Sequence, residues 1–191
     1  PDSGAISVFG HDAIADPLAA RRIVAWVPDE PPIYDRLTPT EYTEFVAGLW
    51  GMERRTAWRK TQDLFEILGL TPHAGTRCEA LSKGMRQKVA LAGALVHSPR
   101  LIVLDEPLTG LDAASARAVK ELLRGMLAEG RSVLMTTHIL DVAERMADRI
   151  GVIDQGRLIA EGTLAQLREQ ARRPDDNASL EDVFLSLVAG A

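Results

Sequence analysis

The most constraining feature of this 191-residue chain is the stretch of residues 81–112, LSKGMRQKVALAGALVHSPRLIVLDEPLTGLD. Residues 101–104 are four apolar residues in a row, which is typical of a parallel strand covered on both faces. Two adjacent carboxylates, Asp105 and Glu106, follow that run directly. Because open α/β sheets carry their ligand sites at the carboxyl ends of strands, the stretch predicts an α/β fold with an acidic site at the sheet edge.

The rest of the chain alternates strand and helix patterns, which favours a largely parallel sheet. Strands are predicted at residues 6–9, 22–27, 101–104, 132–136, 149–154 and 158–161. Helices are predicted after Thr38, Ser82, Thr163 and Ser179 and at residues 53–68, 112–129 and 139–147. Thr38 with Glu41 and Thr163 with Gln166 have the spacing of capping boxes. Residues 36–98 form a mostly helical insertion, and residues 173–178 read as a polar linker before the last helix.

Three parts of the chain carry residue types suited to phosphate and metal chemistry. Ser82 and Gly84 open a helix, where a hydroxyl and backbone N–H groups favour a bound anion, although Ser82 is equally a plain N-cap. The carboxylates Asp105 and Glu106 suit Mg²⁺ and an attacking water. His138 follows a predicted strand, whereas His11, His73 and His97 are expected at the surface.

These motifs, in this order, resemble the signature helix and Walker B region of ATP-binding cassette (ABC) ATPases. The resemblance implies that Asp105 holds Mg²⁺ mainly through its waters, Glu106 acts as the catalytic base, and His138 reaches the γ-phosphate of ATP. Residues 109–112 match the family's D-loop, which passes between subunits, and Asp112 is equally a helix N-cap.

The signature and Q-loop positions depart from the family pattern. Ser82, Lys83, Gly84 and Met85 stand where the family has Ser-Gly-Gly-Gln, an element that contacts nucleotide held by the opposite subunit. Asp29 stands where the family usually has a glutamine that touches the Mg²⁺ shell, and an ordinary turn residue before Pro31 is the alternative reading.

The family's phosphate loop, Gly-x-x-x-x-Gly-Lys-Ser/Thr, does not occur in the sequence. None of the four lysines, Lys60, Lys83, Lys88 and Lys120, follows a glycine. Residues 3–10 resemble the segment that comes after the phosphate-loop helix in the family. The expected architecture is therefore a P-loop NTPase-like cassette lacking its first strand and phosphate loop, with residues 1–172 as the partial ATPase domain and 173–191 as linker and terminal helix.

Composition restricts the partners of such a domain. The net charge of −5 does not show the excess of basic residues that is typical of nucleic-acid-binding domains, so no nucleic-acid partner is expected. The one cysteine, Cys78, cannot form an intramolecular disulfide and is expected to be buried. No apolar run approaches the ~20 residues that span a bilayer, so any membrane role is expected to come through a partner.

The resemblance implies an ATP-binding and ATP-hydrolysing subunit of an ABC transporter, working with a second ATP-binding subunit and a transmembrane permease at the cytoplasmic face of the membrane. Residues 34–44 and the terminal SLEDVF helix resemble export-type subunits. Two alternatives stay open, a soluble ABC-type ATPase acting on DNA or ribosomes and a catalytically dead interaction module. In the family the membrane subunit sets which substrate is transported.

Overall fold

The computed structural model describes residues 2–171 and 178–189, so the predicted linker falls almost wholly outside the described part. The chain divides into two compact units, Pro1–Thr136 and Thr137–Ala191. The helices and strands of the first unit follow one another in chain order. They are β1 (Ser7–Val8), β2 (His11–Asp12), α1 (Pro17–Arg22), β3 (Val24–Val27), α2 (Pro39–Leu49), α3 (Arg54–Leu68), α4 (Lys83–Leu95), β4 (Leu101–Asp105), α5 (Ala113–Ala128) and β5 (Ser132–Thr136).

A parallel sheet in the order β3-β4-β5 forms the centre of the first unit, as predicted for an α/β fold. Val27 pairs with Leu104, and Asp105 pairs with Thr136, so the three strands end at the same edge. Ile102 and Leu104 are fully buried, while Val103 on the opposite face is only half-buried. The prediction that β4 is covered on both faces is therefore wrong, because one face carries the helices and the other lies open.

Local capping signals determine where the helices of the insertion begin and end. Thr38 and Glu41 form the predicted capping box, with the Glu41 N–H donating to Thr38 Oγ1 over 3.2 Å. Gly69 ends α3 in the left-handed region at φ 65°, as a C-cap glycine does. α2 and α4 approach closely at Gly93, where an added Cβ would lie 2.6 Å from the Tyr42 ring. The buried thiol of Cys78 confirms the expectation for that residue.

Two further features of the first unit differ from the sequence prediction. Residues 17–22 form α1, with Asp16 accepting from the Ala19 N–H and Pro17 at the first position, so the strand predicted from residue 22 begins at Val24. His97 was expected at the surface and is instead half-buried. Its ring stacks on Trp50 with centroids 3.9 Å apart.

The environment of His97 keeps its ring neutral. Both ring nitrogens are buried, and neither has a hydrogen-bond partner of good geometry among the described residues. Burial, and then the nearby Lys60 ammonium, lower the pKa of His97 to about 4, against a weaker opposing effect from the Val24 backbone. His97 is thus a packing residue, which leaves it without a role in proton chemistry near neutral pH.

The second unit contains α6 (Leu140–Met146), β6 (Ile150–Asp154), β7 (Arg157–Gly162), α7 (Leu164–Gln170) and α8 (Leu180–Ala189). β6 and β7 form the predicted hairpin, turned by Gln155 and Gly156 at φ 45° and 77°. One face of α8 supplies the buried Leu180 and Val183 to a core shared with β7 and α7. Among the described helices of both units, none is long and apolar enough to cross a membrane.

The open face of the sheet presents large apolar side chains to solvent. Trp26, Val103 and Leu134 share this face because each pairs with the next across the strands. Trp26 is 65% exposed and Leu134 56% exposed. β5 also forms one edge of the sheet, and among the described strands only β4 pairs with it. An exposed apolar face beside an open edge favours association with another chain.

We therefore expect the 191-residue chain on its own to self-associate and to be poorly soluble. Leu134→Lys should reduce the mass of the assemblies measured by light scattering, because it places a charge on the open face beside the unpaired edge of β5. Leu185→Lys, which alters a 60%-exposed leucine in the second unit, is the matched control and should leave the mass unchanged. A monomer with a sharp, reversible thermal transition would contradict this expectation.

Candidate functional site

The carboxyl edge of the sheet brings together the first group of predicted site residues. Asp105 is the last residue of β4, and its carboxylate accepts a hydrogen bond from the hydroxyl of Thr136, the last residue of β5. Asp29 lies two residues beyond the end of β3, so it emerges from the same edge. Parallel pairing thus brings carboxylates that are 76 positions apart in the sequence to one edge, where their oxygens suit a divalent cation.

Glu106 holds an uncommon backbone conformation immediately after β4. Its φ of 47° lies in the left-handed region, which a residue with a long side chain seldom adopts. The surroundings fix it there, because the Glu106 N–H donates to the Thr136 carbonyl over 3.1 Å and the Thr109 hydroxyl donates to the Glu106 carboxylate over 3.4 Å. Strain held by several contacts at one residue is typical of functional turns.

The signature turn, residues 82–85, opens α4. Ser82 is the N-cap, and its Oγ accepts from the Met85 N–H over 3.3 Å. Gly84 follows inside the first turn and packs against the D-loop, where a Cβ at Gly84 would lie 2.8 Å from the Gly110 carbonyl oxygen. The glycine is required by this close approach, so the signature turn and the D-loop form one packed surface within the first unit.

Asp112 caps α5, as predicted. Its carboxylate accepts from the Ser115 N–H over 2.8 Å and from the Ser115 hydroxyl over 3.1 Å. These bonds, and then the Lys88 ammonium, lower the pKa of Asp112 below its ordinary value. Lys88 was not among the predicted site residues, and its spacing of four from Gly84 was the only signal that could have shown it on the D-loop side of α4.

A second link joins the signature helix to the segment that follows Asp29. Arg86 donates to the Asp35 carboxylate over 2.6 Å and to the Cys78 carbonyl over 3.1 Å. The backbone of Asp35 in turn accepts from the Glu79 N–H over 3.0 Å. These contacts hold the chain beyond the Asp29 turn against the base of α4.

His138 belongs to the second unit, two residues beyond the end of β5. The structure thus places Asp29, Asp105 and Glu106 at one edge and packs Lys83 and Gly84 on the D-loop within the first unit. The role of His138 stays a prediction, as do the roles of the other site residues.

The donor set at the sheet edge fits a magnesium ion that is shared with phosphate oxygens. Among the described residues no group of three or more His, Cys, Asp or Glu side chains is arranged to hold a metal alone. Mg²⁺ commonly uses one or two carboxylates and completes its shell with water and substrate phosphates. Asp105, with one carboxylate oxygen on the Thr136 hydroxyl, suits that kind of site.

Comparison with known proteins gives a consistent result. The family model described as ABC transporter matches residues 1–109. The chain is 34% identical over 192 residues to the ABC transporter ATP-binding protein NatA of Bacillus subtilis, covering all of this chain and 76% of NatA. It is 38% identical to the daunorubicin/doxorubicin resistance ATP-binding protein DrrA of Streptomyces peucetius, covering 88% of this chain and 51% of DrrA.

A solved structure, described as that of an ATP binding subunit of an ABC transporter, superposes with a TM-score of 0.91 at 33% sequence identity. The match covers 98% of this chain and 78% of that one. The predicted α/β cassette fold is thereby confirmed for the described chain.

The contact between Gly84 and Gly110 predicts a specific loss of stability. Gly84→Ala should destabilise the first unit by about 1–3 kcal/mol, because the new methyl group meets a backbone carbonyl that cannot rotate away. Urea unfolding followed by tryptophan fluorescence measures this unit, since Trp26, Trp50 and Trp58 all lie in it.

Gly125→Ala is the matched control for that change. Gly125 lies inside α5 with nothing within 4 Å of an added Cβ, so alanine should stabilise the helix by about 0.5–1 kcal/mol. Equal effects of the two substitutions would show that the Gly84–Gly110 approach is not constrained.

Proposed function

The chain belongs to the ABC transporter family, with the ATP-binding subunits as its relatives, and from this premise we propose that it couples ATP hydrolysis to transport through a partner membrane subunit. The observation that supports the proposal most is the shared edge of β3, β4 and β5, where Asp29, Asp105 and Glu106 emerge together. Two carboxylates after a buried strand suit the electrostatic and positioning demands of phosphoryl transfer.

Each residue of that edge has a distinct proposed task. Asp105 holds Mg²⁺ mainly through its waters, and the bound ion supplies charge neutralisation at the phosphates. Glu106 accepts the proton of the attacking water, and the Thr109 hydroxyl, which donates to its carboxylate, helps to hold that group in place. Asp29 accepts from metal-bound water at the Q-loop position. His138 is assigned a contact with the γ-phosphate by the family resemblance alone.

A second ATP-binding subunit is part of the proposal. Ser82 is an N-cap whose turn leaves helix N-terminal amides available to an anion, and Lys83 adds positive charge beside them. We assign Ser82, Lys83, Gly84 and Met85 to the terminal phosphate of nucleotide held by the opposite subunit. Asp112 and the D-loop are assigned to the same subunit interface.

A membrane partner is supported by the surface near the Q-loop position. Tyr34 and Phe45 stack edge to face with ring centroids 5.4 Å apart, and both rings are largely exposed. Leu49, one turn beyond Phe45 on α2, is 70% exposed. An exposed aromatic and aliphatic patch of this kind suits an apolar helix of a permease at the cytoplasmic face of a membrane.

The absence of a phosphate loop from the 191 residues predicts weak nucleotide binding. The backbone amides and lysine of that loop normally surround the β- and γ-phosphates, and no other part of the sequence offers them. Calorimetric titration of ATP and Mg²⁺ into the 191-residue chain should show no saturation in the micromolar range and no measurable hydrolysis. A micromolar dissociation constant would contradict the expectation.

A chimera tests the hydrolytic role itself. A strand, phosphate loop and helix from an ATP-binding subunit of this family, fused ahead of Pro1, should confer ATP binding and hydrolysis. Glu106→Gln in the chimera should then lower the hydrolysis rate by about 10²–10⁴-fold, with ATP affinity retained, because it removes the base and leaves the fold intact.

Glu66→Gln, which alters an exposed glutamate on α3, is the matched control and should not change the rate. A chimera that binds ATP and hydrolyses it equally well before and after Glu106→Gln would refute the assignment of the base. A chimera that binds no ATP at all would refute the proposed function.

A further inference from the structure

One face of α4 touches the D-loop and the first turn of α5, at two points that lie a helical turn apart. At the first, Gly84 meets the Gly110 carbonyl and the Leu111 side chain, which an added Cβ would approach to 2.8 and 3.3 Å. At the second, the Lys88 ammonium donates to the Ser115 hydroxyl over 3.2 Å. Residues four apart share a helix face, so both contacts belong to one seam between α4 and the D-loop region.

Lys88 occupies an unusual position for a lysine. Its side chain is only 9% exposed, and it forms no ion pair within the part of the chain that the structure describes. Burying a charged group is costly unless polar partners compensate for the lost water. For the Lys88 ammonium that partner is one hydroxyl, that of Ser115. Ser115 donates onward to the Asp112 carboxylate over 3.1 Å, so Lys88, Ser115 and Asp112 form a short relay from α4 to the cap of α5.

The relay completes the anchoring of the segment from Glu106 to Asp112. Its start is held by the Glu106 N–H on the Thr136 carbonyl, its middle by Gly110 against Gly84, and its end by the Asp112 cap. Only the last anchor includes a charged side chain from α4. Without Lys88, the end of the segment would be tied to α5 alone, since Asp112 and Ser115 both belong to the start of that helix.

We propose that Lys88 is a positioning residue that fastens the D-loop to the signature helix within one subunit. The signature turn and the D-loop then move as one body when either contacts a partner subunit, and Glu106 moves with them. This inference rests on the proposed function for its consequence at the subunit interface. The linkage itself rests on the contacts within the first unit.

The experiment compares Lys88→Met and Lys120→Met in the 191-residue chain at low concentration. Lys120 is the matched control, a half-buried lysine on α5 for which the structure shows no hydrogen bond or ion pair among the described residues. Carboxyl-carbon NMR should show the pKa of Asp112 rising toward its ordinary value in Lys88→Met and unchanged in Lys120→Met. Lys88→Arg should restore the low pKa, because it returns a cation at the same depth.

Hydrogen exchange followed by mass spectrometry supplies the second readout. Lys88→Met should speed exchange of the amides of residues 109–115 by about tenfold, since a hydrogen bond to a charged group is lost there. Exchange in α2 should not change. The proposal is overturned if Lys88→Met leaves both the Asp112 pKa and this exchange at their wild-type values.

A variant that loses its fold would speed exchange in α2 as well. Ser115→Ala then decides the question, because it removes only the intermediate hydroxyl on a half-buried position. It should raise exchange of residues 109–112 with α2 unchanged, and an unchanged D-loop would overturn the proposal. Neither readout involves nucleotide, so failure here is distinct from failure of ATP binding in the chimera.

Discussion

The parallel pairing of β4 with both of its neighbours is the constraint on which the site depends. Register places Val27 opposite Leu104 and Asp105 opposite Thr136, so that three chain segments leave the sheet at one edge. A one-residue slip of β4 would exchange its buried and half-buried faces and turn Asp105 away from Thr136. The full burial of Ile102 and Leu104 therefore fixes the position of a carboxylate as well as a core.

Backbone conformation, more than side-chain chemistry, shapes the loop beyond that edge. Glu106 and Gly110 both have positive φ, at 47° and 76°, within five residues. Such turns have few stabilising bonds of their own, so they persist only when neighbouring elements determine them. α4 does this on one side through Gly84 and Lys88, and β5 does it on the other through the Thr136 carbonyl. The geometry of the segment that Glu106 begins thus depends on residues from two other elements, α4 and β5.

The sequence predicted those features that short-range physics determines. Capping boxes at Thr38 and Thr163, the glycine C-cap at Gly69 and the hairpin turn at Gln155 all appear where residue types and spacing placed them. His97 was misplaced because nothing in its neighbourhood of the sequence shows that Trp50 stacks on it. Lys88 was missed for the same reason, since its partner Ser115 lies 27 residues away. Burial and contacts between distant segments depend on the tertiary structure. A single sequence indicates them only where it contains a recognisable motif.

In the proposed function, nucleotide affinity and the rate of hydrolysis depend on different residues. Interactions that hold substrate and transition state equally affect affinity alone, whereas those that strengthen as charge develops affect rate. The family's phosphate loop belongs mainly to the first kind, because it surrounds the triphosphate in the ground state. Asp105 and Glu106 belong to the second, because a metal ligand and a proton acceptor matter most as the attacking oxygen approaches phosphorus. On the proposed function, then, the sheet edge is built for the chemical step, and the family's phosphate loop determines how tightly nucleotide is held beside it.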